Sequence, residues 1–221
     1  MKFNREDTGA ERIATLDIET TGFEPDAAET VAIGIGVHER GTPGDAARYD
    51  CHIRRESDDE AAMVRAACAQ LNEYDADLLV TYNGVEFDLP FLASRLEQLA
   101  GTELPIGYSP EDHLDLFADR KAAAGKWPKL EECVTAYGSS PAQTYWNSRV
   151  VDGGVFAEEL APAYLNGVAT NDMSRIEALQ PIIEHYLESD LENNLLIYYG
   201  DIGEHFEPAY AGTQSSFSTS F

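Results

Sequence analysis

Residues 13 to 22 read Ile-Ala-Thr-Leu-Asp-Ile-Glu-Thr-Thr-Gly, an apolar strand pattern closed by a glycine turn. It carries two carboxylates where core residues belong. Side chains alternate across a strand, so Ile13, Thr15, Asp17 and Glu19 share one face and Ala14, Leu16 and Ile18 the other. Two neighbouring same-face carboxylates each cost desolvation free energy, and each raises the pKa of the other unless a cation compensates. Their Cα atoms stand about 7 Å apart, two strand rises, close enough to converge on one divalent ion. The structural alternative is an edge strand whose acidic face meets solvent.

The 221 residues, 43% hydrophobic, suit one domain with a full-sized core. We divide the chain into a flexible N-terminus at 1–11, a domain at 12–205 and a disordered tail at 206–221. No apolar run approaches the ~20 residues of a membrane span. The acidic, polar start is no secretory signal, so a cytoplasmic location is expected. Cys51, Cys68 and Cys133 are odd in number and lack metal-type spacing, as expected of reduced thiols.

Forty acids against 15 bases give a net charge of −25, and only four of the bases are Lys. That balance resembles the composition of salt-in halophiles. At low salt it opposes nucleic-acid binding, because phosphate backbones need Lys and Arg. Molar salt shortens the Debye length to ~3 Å, so local contacts then decide partners.

Along the chain, Thr30 to His38 and Arg48 to Arg54 alternate as strands, forming a meander with the first. Ser57 is placed to cap a helix, with Glu60 three residues on. Asp77 to Tyr82 is a short, nearly all-apolar run that suits an internal parallel strand. A helix follows from Asp88 or Leu89, with Pro90 in its first turn. His113 to Phe117 reads as a last strand and Leu130 to Tyr137 as a short helix. Ser139 to Arg149 reads as irregular. Val155 to Leu165 is helical, and a long helix runs from about Gln180 to Gly200.

Two further elements carry carboxylates on apolar ground. Asp88 sits where a buried strand hands over to a helix. Helix capping explains it, and turn formation explains Asn83. The carboxyl edge of a parallel sheet is also where open α/β sheets place their sites. Phe87 and Phe91 flank Asp88, positioned to pack beside a base. On the last helix Tyr186 and Asp190, four apart, share a face with Ile182, Ile183, Leu187 and Leu191. A solvated rim position explains Asp190; so does a metal.

In chain order, Asp-x-Glu on a first strand, Asn-x4-Asp at a strand-to-helix junction and Tyr-x3-Asp on a last helix resemble the DEDD superfamily of 3′–5′ exonucleases. The resemblance spans about residues 12 to 200. The segment YNGVEFDLPFL looks especially like the proofreading domains of family B DNA polymerases and the YprB-like group. What it implies is an α/β fold, a ribonuclease-H-like mixed sheet of about five strands flanked by helices. It further implies two Mg²⁺ or Mn²⁺ ions among Asp17, Glu19, Asp88 and Asp190, with Tyr186 orienting the attacking water. Thr20, Asn83 and Phe87 would face a single-stranded 3′ end of DNA or RNA. A catalytically inactive module that binds nucleic acid or protein is the alternative.

The third motif satisfies two branches of that superfamily, since His185 stands five residues before Asp190 and Tyr186 four. On a continuous helix four residues turn a side chain about 40° away and five about 140°. Continuity therefore favours Tyr186, and a helix beginning at His185 would make histidine the alternative general base. Arg120, Lys121, Lys126 and Lys129, interleaved with Trp127, form a basic cluster placed for phosphate contact and stacking, or for a solvated surface.

Overall fold

In the computed structural model, which describes residues 1–125 and 127–220, the carboxylate-bearing stretch is β1 (Arg12–Thr20), the middle strand of five. β2 (Thr30–Glu39) pairs antiparallel with β1, and β3 (Arg48–Ile53) antiparallel with β2. On the other side β4 (Leu78–Thr81) and β5 (His113–Asp115) run parallel to β1, giving the order β3-β2-β1-β4-β5. The expected five-stranded mixed sheet is present.

The two faces of β1 do different work. Ala14, Leu16 and Ile18 pack with Ile33 and Ile35 against α1 (Glu60–Glu73) and α2 (Leu89–Ala100). The opposite face meets the long helix α7 (Met173–Asp201), where Thr15 accepts a hydrogen bond from Asn194 at 3.1 Å. Gly34 lies opposite Asp17 in the β1–β2 register. A Cβ there would come within 2.7 Å of Leu187 and 2.8 Å of Leu191, so the glycine lets α7 approach the sheet and carry Asp190 toward Asp17.

Between them run α3 (Leu116–Ala124), α4 (Leu130–Ala136), β6 (Gln143–Trp146) and β7 (Arg149–Val150). α5 (Gly153–Val155) passes through a π-turn at Phe156–Leu160 into α6 (Ala161–Thr170). β8 (Gln214–Phe217) adds to β6 in parallel, making a second sheet ordered β7-β6-β8.

Several expectations are corrected here. Residues 206–221 are not a disordered tail over their described length. Buried Glu192 accepts the N–H groups of Ala209, Tyr210 and Ala211 at 2.6, 2.8 and 3.1 Å, and β8 follows from that anchor. Their polar composition gave no sign of a partner strand contributed from residues 143–146. The first eleven residues likewise pack, with the Phe3 N–H donating to Tyr137 at 3.0 Å and the Arg5 N–H to the Asp201 carbonyl at 2.9 Å. Ser57 does not cap α1. Asp59 precedes that helix, and its carboxylate accepts the N–H groups of Arg55 and Glu56. The 139–149 segment holds β6 rather than being wholly irregular. Finally, α7 begins at Met173, well before Gln180. Pro181 lies inside the helix, and Asp172 caps its start, accepting the Arg175 N–H at 3.2 Å.

Candidate active site

At the carboxyl ends of β1 and β4 a cleft of about 610 Å³ opens. Asp17 and Glu19 enter it from β1, and a bulge between Glu19 and Thr20 turns the strand away just beyond. Asp190 enters from α7. One carboxylate oxygen from each of Asp17, Glu19 and Asp190 lies within 4.8 Å of the others. Glu19 is buried, while Asp17 and Asp190 are half-buried and face the cleft.

Asp88 completes the acidic wall. It precedes α2 yet makes no side-chain capping bond, so capping does not explain it. The residue is 3% exposed, and its Oδ2 has no hydrogen-bond partner among the described residues. Burial pushes all four carboxyls well above the ordinary range, and mutual repulsion adds to it. Asp88 acts on Asp17; Asp17, Asp190 and Asp88 act on Glu19; Asp17 and Glu131 act on Asp190; Asp115 acts on Asp88. Four buried or half-buried acids from three elements, all facing one cleft, are a donor set suited to hard divalent cations, which prefer oxygen ligands.

Tyr186 lines the same cleft one helical turn before Asp190, its ring stacked on Phe156 at 5.6 Å between centroids. Burial first, then Asp190, Glu19 and Asp17, push its hydroxyl pKa well up. His185 points elsewhere. Its Nδ1 bonds the Thr144 hydroxyl of β6 at 2.7 Å, its ring packs edge-on to Tyr210 and Phe217, and burial lowers its pKa. α7 is continuous through both positions, so helical geometry keeps them on different faces.

The remaining candidates divide. Asn83 lines the cleft in a left-handed conformation (φ 72°), with its Oδ1 buried and unpartnered. Phe87 lines it too, tilted against Phe91 at 5.6 Å and edge-on to exposed Phe23 at 5.9 Å. Thr20 also faces the cleft, its hydroxyl donating to the Gly22 carbonyl at 2.7 Å. Arg120 does not reach it. That residue is fully buried, ion-paired with Asp201, and donates to the Leu116 and Met1 carbonyls at 2.9 and 3.2 Å. The sequence placed Arg120 among basic neighbours, but a buried aspartate at the end of α7, 81 residues on, draws it inward. Lys121 pairs with Glu86 at 2.5 Å beside the cleft, and Lys129 lines it. Lys126 lies outside the described residues.

Sequence reasoning missed two acidic neighbours. Glu131, in the first turn of α4, lines the cleft and helps raise the pKa of Asp190. Asp115, at the end of β5, accepts the N–H groups of Asn83 and Val85 and so holds the turn that carries Asp88. The only signal for Asp115 was its place at the end of a parallel strand.

Among known proteins, the model described as RNase_H superfamily matches residues 14–199. A DNA polymerase of Pyrococcus glycovorans is 44% identical over 48 residues, covering 22% of this chain and 6% of that protein. DNA polymerase 1 of Pyrococcus abyssi is 42% identical over 48 residues, with the same coverage. The family B DNA polymerase of the hyperthermophilic archaeon Pyrobaculum calidifontis superposes with a TM-score of 0.57 at 20% identity, over 83% of this chain and 23% of that one. The chain thus spans only a small part of each polymerase, and the structural likeness is one of fold. No helix among the described residues is long and apolar enough to cross a membrane.

Proposed function

The chain belongs to the RNase H superfamily, and from that premise we propose that it is a two-metal-ion 3′–5′ exonuclease acting on single-stranded DNA or RNA ends. The carrying observation is the convergence of Asp17, Glu19, Asp88 and Asp190 on one cleft. Asp17, Glu19 and Asp190 would hold one Mg²⁺ or Mn²⁺, and Asp88 with Asp17 the second. When bound, such ions supply Lewis acidity to the phosphoryl group and neutralise charge on the leaving oxygen.

The residues of the chain do the rest. Water attacks phosphorus in line as the bond to the 3′ oxygen breaks; the terminal nucleotide leaves as a 5′-monophosphate, and the 3′ oxygen of the shortened strand ends as a hydroxyl, taking up in net balance the proton that the water gives up. Burial and the neighbouring carboxylates of Asp190, Glu19 and Asp17 raise the pKa of the Tyr186 hydroxyl, which favours its protonated, hydrogen-bond-donating form. We assign it the donation of a hydrogen bond that orients the water. The unpartnered Asn83 Oδ1 accepts from the sugar end of the substrate. Thr20 and Phe87 bound the terminal nucleotide. We place the enzyme in a cytoplasm of high salt, where a chain of charge −25 can approach a phosphate backbone.

The test incubates 5′-labelled DNA and RNA oligonucleotides with the protein, Mn²⁺ and molar KCl. A ladder shortened from the 3′ end is expected. Metal binding without any cleavage would replace this reading with that of an inactive binding module.

A further inference from the structure

Trp127 is one of two tryptophans in the chain, and the two are used differently. Trp146 is packed against the core beneath α7, with its indole N–H donating to Thr219 at 2.9 Å. Trp127 is 67% exposed, yet lines the cleft that holds the carboxylates. Its ring is nonetheless held in place. Phe117, itself buried, lies 5.2 Å away between centroids at an interplanar angle of 48°. The Lys121 ammonium stands 4.3 Å from the indole centroid, and Glu86 anchors that ammonium.

These two supports lie next to each other. Lys121 Nζ is 5.5 Å from the Phe117 ring centroid. Diametrically opposed across the indole, they would stand about 9.5 Å apart, the sum of their 5.2 and 4.3 Å distances from its centroid. Phe117 and Lys121 therefore pack together against one part of the indole, and the ring, 67% exposed, borders the cleft. Phe117 is in turn tied to the site, since its N–H donates at 2.9 Å to Asp115.

We propose that Trp127 is a base-stacking platform, on which a nucleobase of the single-stranded substrate is held beside the carboxylates. This rests on the nuclease reading of the cleft. The chemistry favours a nucleobase over a phosphate as occupant. A π-face can be offered to a base at any ionic strength, whereas phosphate contacts weaken as salt rises. In a chain with net charge −25, stacking supplies affinity that the electrostatics withhold. A base in a duplex has both faces covered, so the platform also selects single strands.

The experiment uses the full chain carrying Trp146→Phe, which leaves Trp127 as the fluorophore, with Asp17→Asn to prevent turnover. Oligo-dT, oligo-U and an abasic oligonucleotide of equal length are titrated in molar KCl with Mn²⁺. The base-bearing strands are expected to quench Trp127 emission and the abasic strand not. Trp127→Ala should weaken oligonucleotide binding about 5- to 150-fold, with Trp127→Phe retaining most of it. In the cleavage-competent chain, Trp127→Ala should raise KM and leave kcat nearly unchanged. Equal binding of abasic and base-bearing strands, or an unchanged KM with cleavage intact, would overturn the platform while the nuclease reading stood. Failure of every strand to bind would overturn both.

Discussion

The carboxylate of Asp115 accepts the backbone N–H of Asn83 at 2.9 Å, joining the end of β5 to the turn that leads into Asp88. It also accepts the N–H groups of Val85 at 3.1 Å and Phe117 at 2.9 Å. One buried side chain thus sets the position of a candidate ligand and of the Trp127 support. Asp115→Asn keeps the size and loses part of this acceptor set. A loss of ~1–3 kcal/mol in urea unfolding is expected, with a larger proportional fall in cleavage. Full activity with normal stability would show that the turn holds itself.

Tyr186 and His185 are neighbours that serve different neighbourhoods. Tyr186→Phe keeps the stacking on Phe156 and deletes only the hydroxyl. Cleavage should fall ~10²–10³-fold, as for loss of one positioned hydrogen-bond donor, while the melting temperature hardly moves. His185→Ala should instead cost stability, because it removes the bond to Thr144 and the packing on Tyr210 and Phe217. Abolished cleavage in a well-folded His185→Ala, with Tyr186→Phe active, would reverse the assignment.

Asp17 sits among carboxylates that repel it. In the absence of metal, Asp17→Asn should match or exceed the parent in thermal stability. Saturating Mn²⁺ should reverse that order, since ligand at 100 times Kd stabilises by ~2.7 kcal/mol. Cleavage should drop by more than the ~10–100-fold typical of residues that only brace a metal ligand. Thermal scans with and without Mn²⁺ decide the matter; a metal-free variant that melts early would make Asp17 structural.

Glu60 gives a pH dependence remote from the cleft. It is 4% exposed and binds Arg95 at 2.7 and 2.8 Å, Arg54 at 3.3 Å and the Thr30 N–H at 2.9 Å. Burial pushes its pKa up, but the Arg95 hydrogen bonds, the Thr30 N–H and the charges of Arg95 and Arg54 outweigh it, leaving it below the usual 4.5. A carboxylate with a depressed folded pKa stabilises above its unfolded value and loses that contribution as pH falls through the folded one. Glu60→Gln should therefore cost ~3–5 kcal/mol at pH 7. The gap from the parent should narrow as pH drops below about 4.5. A gap independent of pH in urea titrations would mean that packing, not charge, holds this triad.

The sequence by itself determined whatever depends on local periodicity. The alternation in residues 13–20 placed Asp17 and Glu19 on one face of a strand, and the four-residue spacing placed Tyr186 with Asp190, because strand and helix geometry are set by the backbone alone. Only the tertiary structure decided which long polar side chains are buried and what they meet. Arg120 turned inward because Asp201, 81 residues away, waits at the end of α7. Residues 214–217 became a strand because β6 offered an edge, and Glu192 fixed the chain beside it. Glu131 joined the acidic cleft, and Asp115 the turn that carries Asp88, through elements that no spacing rule links to Asp17 or Asp190. The close approach of α7 itself uses an absent side chain at Gly34, where a Cβ would collide with Leu187 and Leu191. Such contacts are products of packing between distant segments, and their free energy exists only once the fold has brought those segments together.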